Sequence, residues 1–281
     1  MRIDLHTHSR ASDGSDAPAQ LVCRAAREGL DVLALTDHDT VAGLAEAECA
    51  LPTGLTLVPG VELSCHAGDI SLHLLAYLFD PADRDIARES ALLREDRVRR
   101  AQAIVDRCRD LGAPISWEGV HAIAGDGAVG RPHIAAALAE AGVVRDIEAA
   151  FGPDWIGDDG RAYIAKYTLE ARRAIDLVRA AGGAPVFAHP GAETRGRIVS
   201  DDVIESLAGA GLVGLEVDHP DHDLSMRTHL RGLAGDLGLV VTGSSDYHGT
   251  RKSVRLGEYT TDPEAYEAIV AAGVGAMPVR G

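Results

Sequence analysis

Long uninterrupted runs of apolar residues are missing from this sequence of 281 residues. The most apolar stretch, 268–279, is broken by Gly273, Gly275 and Pro278, and it is shorter than the roughly 18 residues that a membrane-spanning helix needs. The chain starts with MRIDLH, which leads straight into a predicted strand and lacks the features of a signal peptide. We therefore expect a cytoplasmic protein that does not bind membranes.

Cysteine and aromatic residues are also scarce. The four cysteines form no CxxC pair, which argues against a disulfide framework and suits a reducing compartment. Aromatic residues make up 4% of the chain, too few to provide stacking platforms along a long single strand of RNA. If the substrate is a nucleic acid, this scarcity favours a nucleotide or a short oligonucleotide.

Positive charge is outnumbered by negative charge. The chain has 27 Lys and Arg against 43 Asp and Glu, and its formal net charge is −16. A protein with this balance does not attract duplex DNA, whose binding relies on many contacts from Lys and Arg to phosphates. An anionic substrate would need a local positive site, made of clustered arginines or bound metal ions. The content of 46% hydrophobic and 25% charged residues is typical of globular proteins and excludes global disorder.

Seven short apolar segments share one pattern, in which β-branched or aliphatic residues are followed by ionisable side chains. They are 3–5, 32–35, 56–58, 72–78, 185–188, 213–217 and 239–242. Helical patterns lie between most of them, so the order of elements predicts an α/β fold with a parallel sheet. The number of strands favours a closed or nearly closed (β/α)7 barrel, whose chemistry would gather at the C-terminal ends of the strands.

One long segment interrupts this alternation. It contains an Arg-rich helical pattern over 86–111, a second helix from Pro132 and an irregular stretch at 151–163. We interpret 83–166 as a mostly helical insertion that acts as a substrate lid or phosphate clamp, and 1–82 with 167–281 as the barrel domain.

Ionisable residues at the ends of the apolar segments form a candidate metal centre. His6 and His8 are two positions apart, and Asp246 and His248 repeat this spacing, which places both side chains on one face of an extended strand. The other candidates follow or lie within the remaining segments: Asp13, His38, Glu62, His73 and His189. Three carboxylates packed together would repel one another. Two or three divalent cations would remove this cost, because nine ligands exceed what one tetrahedral ion takes.

Four motifs resemble the signatures of the PHP (polymerase and histidinol phosphatase) family: HTH at 6–8, TDHD at 36–39, AHP at 188–190 and SDYH at 245–248. Two further segments, GRPH at 130–133 and RGR at 195–197, are similar to the branch that contains 3′,5′-nucleotide bisphosphate phosphatases and the 5′→3′ exoribonuclease RNase AM. The resemblance implies a distorted seven-stranded barrel with the activity of a metal-dependent phosphoesterase.

The resemblance also implies how the candidate ligands would be shared among three ions. The three sets are His6, His8, Glu62 and Asp246; Glu62, His73 and His189; and Asp13, His38 and His248. Manganese is the metal that the family suggests, and the mixed imidazole and carboxylate donors also suit iron or zinc.

The expected reaction is hydrolysis of a phosphate ester by a metal-bridging hydroxide that attacks phosphorus in line. Asp246 takes part as a catalytic metal ligand, and His219, which follows the sixth apolar segment, is the candidate acid for the leaving oxygen. A histidine that only hydrogen-bonds to Asp218, with no catalytic part, is an equally good interpretation of His219.

Six side chains are candidates for binding the phosphates of the substrate. They are Arg97, Arg100, Arg131, His133, Arg195 and Arg197. The first two share a helix face, the next two stand at the start of a helix, where free backbone N–H groups favour anions, and the last two follow the fifth apolar segment. The alternative for these arginines is a solvated helix face or the rim of the barrel.

The leading hypothesis is a metal-dependent phosphoesterase that acts on 3′,5′-bisphosphonucleotides or short 5′-phosphorylated RNA. A histidinol-phosphate phosphatase would share the metal framework, but the long insertion and its GRPH segment disfavour it. A PHP-type amidohydrolase and a non-catalytic PHP module are further alternatives. Non-catalytic modules typically lose metal ligands, whereas this chain has a competent residue at all nine positions.

Overall fold

The structure, a computed structural model, describes residues 1–125, 129–193 and 196–281. The chain separates into two compact units. Unit 1 comprises residues 1–91 and 168–281, and unit 2 comprises residues 92–167. In the described ranges, none of the helices has the combination of length and apolar character that a membrane span requires.

Nine strands occur in the described part of unit 1, and most of them are short. They are β1 (Ile3–Asp4), β2 (Val32–Leu35), β3 (Thr56–Ala67), β4 (Ile70–Tyr77), β5 (Leu169–Glu170), β6 (Ala184–Ala188), β7 (Gly214–Asp218), β8 (Val240–Gly243) and β9 (Val279–Arg280). Every residue of β2 and of β6 is buried, as expected for strands that are covered on both faces.

Seven of these strands form a continuous hydrogen-bonded path in the order β1-β2-β3-β4-β6-β7-β8. Strands β5 and β9 both pair with β3 outside this path. The two ends of the path meet just beyond β1 and β8, where Thr7 and Tyr247 form a parallel bridge. The backbone N–H of His8 donates to the carbonyl of Tyr247 there, at 2.9 Å. The predicted distorted seven-stranded α/β barrel is confirmed.

The expectation of an all-parallel sheet is wrong at β4. This strand runs antiparallel to both β3 and β6, while the other neighbours along the path are parallel. The reason is the connection from β3 to β4, which consists of Gly68 and Asp69. A two-residue hairpin joins antiparallel strands, whereas a parallel crossover needs a dozen or more residues. Gly68 has φ = 58°, a value that glycine adopts without a steric penalty.

Helices surround the sheet of unit 1 and make up most of unit 2. The α-helices of the described residues are α1 (Pro18–Arg27), α2 (Leu44–Cys49), α3 (Arg84–Asp110), α4 (Trp117–Ala124), α5 (Arg131–Glu140), α6 (Ile147–Ala150), α7 (Ala171–Ala180), α8 (Asp201–Gly209), α9 (Leu224–Leu237) and α10 (Pro263–Ala272). Helix α7 shows why they pack as they do. Its buried residues Ala174, Ile175, Leu177 and Val178 line one face and join an apolar cluster with residues of β3, β4 and β6.

Unit 2 has an apolar cluster of its own. The cluster includes Ile104 and Cys108 of α3, Val120 of α4 and Leu138 of α5. Helix α3 is 27 residues long, so it begins in unit 1 and ends in unit 2. The described part of the unit 2 core therefore combines residues of α3, α4, α5 and α6 with residues of the connecting segments, such as Ile156 and Ala162.

The interior of the barrel is apolar up to the level of the ionisable residues. Leu75 and Val186 belong to the cluster that fills it. Tyr77, on the same face of β4 as Leu75, is fully buried, and its hydroxyl donates to the carbonyl of Leu5 at 2.8 Å. Burial, and after it the charge of Glu216, raises the pKa of Tyr77 well above its usual value, so this hydroxyl remains a donor.

Replacing Tyr77 by Phe is expected to destabilise the protein by about 1–2 kcal/mol, because the Leu5 carbonyl loses a buried hydrogen bond. The measurement is urea-induced unfolding, followed by circular dichroism. Tyr266→Phe is the control, since that ring is partly exposed and its hydroxyl is less costly to lose. Equal unfolding midpoints for Tyr77→Phe and the unmodified protein would contradict the importance of this bond.

Candidate metal centre

The nine predicted metal ligands meet in one cluster of unit 1, with Glu62 at its centre. The carboxyl group of Glu62 is 1% exposed. Five imidazole nitrogens lie close to its two oxygens. Oε2 lies 3.1 Å from both His6 Nε2 and His8 Nε2 and 3.2 Å from His38 Nδ1. Oε1 lies 2.8 Å from His73 Nδ1 and 3.1 Å from His189 Nε2. One carboxylate therefore connects side chains that follow β1, β2 and β6 and one that lies in β4.

The sheet explains why Glu62 occupies this position. The sequence pattern placed Glu62 beyond the end of a strand at 56–58, whereas β3 continues through it to Ala67. The backbone of Glu62 pairs with His38 just beyond β2. The β3–β4 hairpin then brings His73 opposite Ser64, and β4 pairs His73 with Ala188, the residue before His189. The antiparallel strand thus delivers a histidine from its middle to the same level as the strand ends.

Two more carboxylates complete the cluster. Asp13 Oδ1 lies 3.6 Å from His8 Nδ1 and 3.4 Å from His248 Nε2, and Asp13 Oδ2 lies 3.8 Å from His38 Nε2. Asp246 Oδ1 lies 3.2 Å from His8 Nε2 and 3.5 Å from His6 Nε2. Asp13 is one-third exposed and Asp246 is buried, so the cluster opens to solvent on the side of Asp13.

Several nitrogen and oxygen atoms of this cluster are placed as ligands of a cation and not as hydrogen-bond partners of one another. Several of its buried nitrogen and oxygen atoms have no hydrogen-bond partner in the structure: His6 Nε2, both ring nitrogens of His8, His38 Nδ1, His73 Nδ1 and Glu62 Oε2. Buried polar atoms are almost always hydrogen-bonded, and an unsatisfied one is costly. Imidazole nitrogens and carboxylate oxygens that converge in this way are the donor set that a divalent metal ion binds.

The donors fall into groups that are compact enough to hold an ion. Within each group the candidate ligand atoms lie within 4.8 Å of one another: His8, Asp13, His38 and His248; His6, His8 and Asp246; and His38, Glu62 and His73. Shared members connect the three groups, which is the arrangement expected for neighbouring ions that share ligands. The cluster therefore supports the binding of divalent metal ions.

In two imidazole rings, a hydrogen bond at the nitrogen that faces away from the cluster determines which nitrogen can bind a metal ion. His6 Nδ1 lies 2.9 Å from Glu216 Oε1, and His248 Nδ1 lies 2.8 Å from the carbonyl oxygen of Asp246. Each ring then donates through Nδ1 and directs the lone pair of Nε2 into the cluster. Glu216 also accepts the backbone N–H of His189 through Oε2, at 2.8 Å, so it orients two candidate ligands.

Three buried aspartates hold the loops around the cluster by one recurring pattern. Each accepts hydrogen bonds from both the backbone N–H and the hydroxyl of a single serine. The pairs are Asp4 with Ser245, Asp37 with Ser9, and Asp39 with Ser64. These contacts cross between loops of different strands and limit their movement.

Some residues of the cluster have a strained backbone. His189, Asp246 and Asp39 have φ angles of 34°, 50° and 53°, in the left-handed region that non-glycine residues rarely adopt. Such conformations cost of order 1–3 kcal/mol each and persist only where the surroundings hold them. Here the bonds from His189 N–H to Glu216 and from Ser64 to Asp39 hold two of them.

Proton affinities in the cluster follow from burial and neighbouring charges. Burial alone would raise the pKa of Glu62, but the surrounding imidazoles, His38 first, hold it well below its usual range, and the pKa of Asp13 is lowered in the same way. For His8, burial opposes protonation, while carboxylates, Asp246 first, raise its pKa to about 9. Glu62 and Asp13 are therefore ionised, and a proton competes with a divalent cation for the imidazole of His8, so cation binding there weakens as the pH falls.

His219 contacts the cluster from its buried side. Its Nε2 lies 3.3 Å from Asp246 Oδ2, and its Nδ1 accepts the backbone N–H of Asp221 at 3.0 Å. The proton of the neutral ring therefore sits on Nε2 and points to Asp246. Asp218, the alternative partner that the sequence suggested, instead accepts from Arg231 at 2.7 Å.

Sequence reasoning missed two side chains that contact the candidate ligands. Glu216 is one, and its signal was a charged residue inside an apolar strand segment, two positions from Asp218. Lys252 is the other: its Nζ atom lies 2.6 Å from Asp246 Oδ2. A single lysine in a loop carries no pattern that distinguishes it from a solvated side chain, so no sequence signal pointed to it.

Three of the predicted phosphate contacts lie in unit 2 and have partners within that unit. Arg131 Nη1 lies 2.7 Å from Asp158 Oδ1, and its guanidinium stacks over the Phe151 ring. Arg100 Nε donates to a backbone carbonyl at 2.6 Å. Burial, and next the charge of Arg131, lowers the pKa of Arg100, which indicates two guanidinium groups close enough to repel. His133 Nδ1 accepts the N–H of the residue that precedes α5, at 3.0 Å.

The remaining predicted contacts divide between the described and undescribed residues. Arg97 is partly buried on α3, one turn before Arg100. Arg197, in unit 1, pairs with Asp69 at 2.8 Å through Nη2 and is largely exposed. Arg195 lies outside the described residues.

Comparisons with known proteins agree with this geometry. A family model described as "PHP domain" matches residues 4–111. The 5′-3′ exoribonuclease of Haemophilus influenzae is 34% identical over 262 residues, covering 92% of this chain and 93% of the relative. The 3′,5′-nucleoside bisphosphate phosphatase of Chromobacterium violaceum is 33% identical over 272 residues, covering 92% of each. A crystal structure of an inferred metal-dependent phosphoesterase from Bifidobacterium adolescentis has a TM-score of 0.83 and 37% identity, covering 97% of this chain and 96% of that one.

Replacing Glu216 by Gln is expected to weaken the binding of Mn²⁺ by about 10–100-fold, the usual effect of losing a carboxylate that orients a ligating histidine. The measurement is calorimetric titration of the metal-free protein with MnCl₂. Glu205→Gln on α8 is the matched control, because that side chain is exposed. If both variants bind Mn²⁺ like the unmodified protein, Glu216 does not orient the ligands.

Proposed function

The chain belongs to the PHP family and is a metal-dependent phosphoric ester hydrolase, and from this premise we propose that its substrates are 3′,5′-bisphosphonucleotides or short 5′-phosphorylated RNA. The observation that carries the proposal is the convergence on Glu62 of imidazole nitrogens that lack hydrogen-bond partners. The two relatives that act on a nucleoside bisphosphate and on RNA, each similar over most of the chain, support the substrate class.

The proposed centre holds three ions, Mn²⁺ in the first place, with iron or zinc as alternatives that the same donors accept. The ligand sets are His6, His8, Glu62 and Asp246; Glu62, His73 and His189; and Asp13, His38 and His248. The compact group of His8, Asp13, His38 and His248 supports the third set. When bound, the ions supply Lewis acidity toward water and toward the phosphoryl oxygens.

In this proposal, buried side chains of the protein orient the candidate ligands and hold the charge of Asp246 in position. Glu216 holds the ring of His6 through Nδ1, and His219 directs its Nε2 proton to Asp246. Because His219 is fully buried, we assign it the task of holding the second oxygen of Asp246. Its predicted role as proton donor to the leaving oxygen would require it to give up this contact.

The second phosphate of the substrate is proposed to bind in unit 2, at Arg100 and Arg131. The charge of Arg131 contributes, after burial, to the lowered pKa of Arg100, and the guanidinium fork of either side chain binds phosphate in a bidentate manner. Both lie in the insertion, which gives this unit the role of a phosphate clamp. Arg97 and His133 are the further candidate contacts of the same unit, and Arg197 is the candidate of unit 1.

The proposal is tested by phosphate release from adenosine 3′,5′-bisphosphate, histidinol phosphate and a short 5′-phosphorylated RNA, with protein reconstituted with Mn²⁺. We expect release from the bisphosphate or the RNA. Asp246→Asn is expected to lower the rate by about 100-fold or more, since loss of a ligand exceeds the loss of a side chain that orients one. Asp236→Asn, an exposed residue of α9, is the control.

Other outcomes of this assay point to other functions. Turnover of histidinol phosphate alone would contradict the nucleotide substrate and favour a histidinol-phosphate phosphatase. Silence on all three compounds, with bound metal demonstrated, would leave an amidohydrolase or a non-catalytic module.

Arg131→Met is expected to raise KM for the bisphosphate about 10-fold or more with little change in kcat, because a charge-assisted hydrogen bond made equally in ground and transition states is lost. With p-nitrophenyl phosphate, which has a single phosphate, KM should not change. Arg109→Met is the control, since Arg109 is exposed on α3. An equal rise in KM for both compounds would mean that Arg131 does not bind the second phosphate.

A further inference from the structure

We propose that Lys252 is a direct contact of the substrate, and that its ammonium group binds an oxygen of the reacting phosphate while it holds Asp246. This inference rests on the proposed function, which supplies the phosphate group. It adds a cation from the barrel itself to a centre whose other positive charge comes from bound ions.

The backbone before Lys252 is anchored to the loop that carries Asp13. A 3₁₀ turn, Gly249–Arg251, separates Lys252 from His248. The Ser15 hydroxyl accepts the N–H of Thr250 at 2.9 Å, and the N–H of Ser15 donates to the carbonyl of His248 at 3.1 Å. The position of Lys252 is therefore set by the same loops that set the candidate ligands.

Lys252 and the histidines contact different oxygens of Asp246. Oδ2 lies 2.6 Å from Lys252 Nζ and 3.3 Å from His219 Nε2. Oδ1 lies 3.2 Å from His8 Nε2 and 3.5 Å from His6 Nε2. The ammonium group is thus separated from the imidazole cluster by the width of one carboxylate. A phosphate bound at the cluster beside Asp246 would lie within reach of this ammonium group.

Exposure distinguishes Lys252 from the other partner of the same oxygen. The side chain of Lys252 is 34% exposed, whereas those of Asp246 and His219 are 1% and 0% exposed. Part of the Lys252 side chain therefore remains accessible to a ligand that enters from solvent, whereas His219 does not.

The chemistry of an ammonium group suits phosphate. It carries three N–H donors in a compact charge, and one of them is directed to Asp246 in the structure. Lysine binds phosphate as a point charge and needs no planar geometry from its ligand. The ligand class is a phosphate monoester or inorganic phosphate, whose oxygens accept without donating when ionised.

The test compares three full-length variants loaded with Mn²⁺: K252M, which removes the charge at similar length, K252R, which keeps it, and R251M, which removes an exposed neighbouring charge. Inorganic phosphate is the probe, and its affinity is measured by calorimetry and as inhibition of turnover. K252M is expected to bind phosphate about 10–100-fold more weakly, the loss of one charge-assisted hydrogen bond. K252R should keep most of the affinity, and R251M all of it.

A titration of the metal-free variants with Mn²⁺ separates substrate contact from a structural role. Removing a cation beside Asp246 does not lower the negative charge offered to the metal, so K252M should bind Mn²⁺ at least as tightly as the unmodified protein. Phosphate affinity unchanged in K252M would overturn the inference. So would a parallel loss of Mn²⁺ and phosphate binding, or equal phosphate losses in K252M and K252R.

The proposed function and this inference fail in different ways. If the unmodified protein releases no phosphate from nucleotides, but K252M still loses affinity for inorganic phosphate, the nucleotide function is wrong and the role of Lys252 stands. If nucleotides are hydrolysed and K252M binds phosphate normally, the function stands and the role of Lys252 is wrong.

Discussion

The structure depends on the way it compensates the negative charge that it buries. Glu62 is 1% exposed in the middle of a strand, and Asp246 and Glu216 are buried with it. Isolated carboxylates in such a place would be several kcal/mol unfavourable, so burial is tolerated only with compensating partners. Imidazoles on every side, a lysine and bound divalent cations provide them. Folding stability and metal binding are consequently linked in this protein.

This constraint explains features that are not needed for a barrel as such. The backbone at His189 and Asp246 is left-handed, and the side chains of both residues belong to the cluster around Glu62. The serine-bound aspartates around the cluster, such as Asp37 with Ser9, hold the loops against this strain. The barrel supplies an apolar interior below the cluster, and that interior excludes water from one side of the charges.

Local spacing allowed the sequence to predict much of the centre. Alternation in a strand places His6 beside His8 without knowledge of the fold, and the repeated pattern of apolar segments followed by ionisable residues predicts the barrel. The direction of β4 was not predictable in this way, because the hairpin depends on the two residues Gly68 and Asp69. Lys252 was missed for a different reason: its contact with Asp246 arises from the path of an irregular loop, which no periodicity describes.

The bridge between Thr7 and Tyr247 has a consequence for how the molecule folds. Contacts such as the one between Asp4 and Ser245, 241 positions apart, join the first strand to the last strand of the path. A growing chain therefore exposes the open edge of β1 until nearly the whole protein has been synthesised. Closure of so long a loop is slow, and unpaired strand edges promote aggregation in the meantime. Asp246 and His248 join the other candidate ligands only after this closure, so the complete candidate metal site forms late in folding.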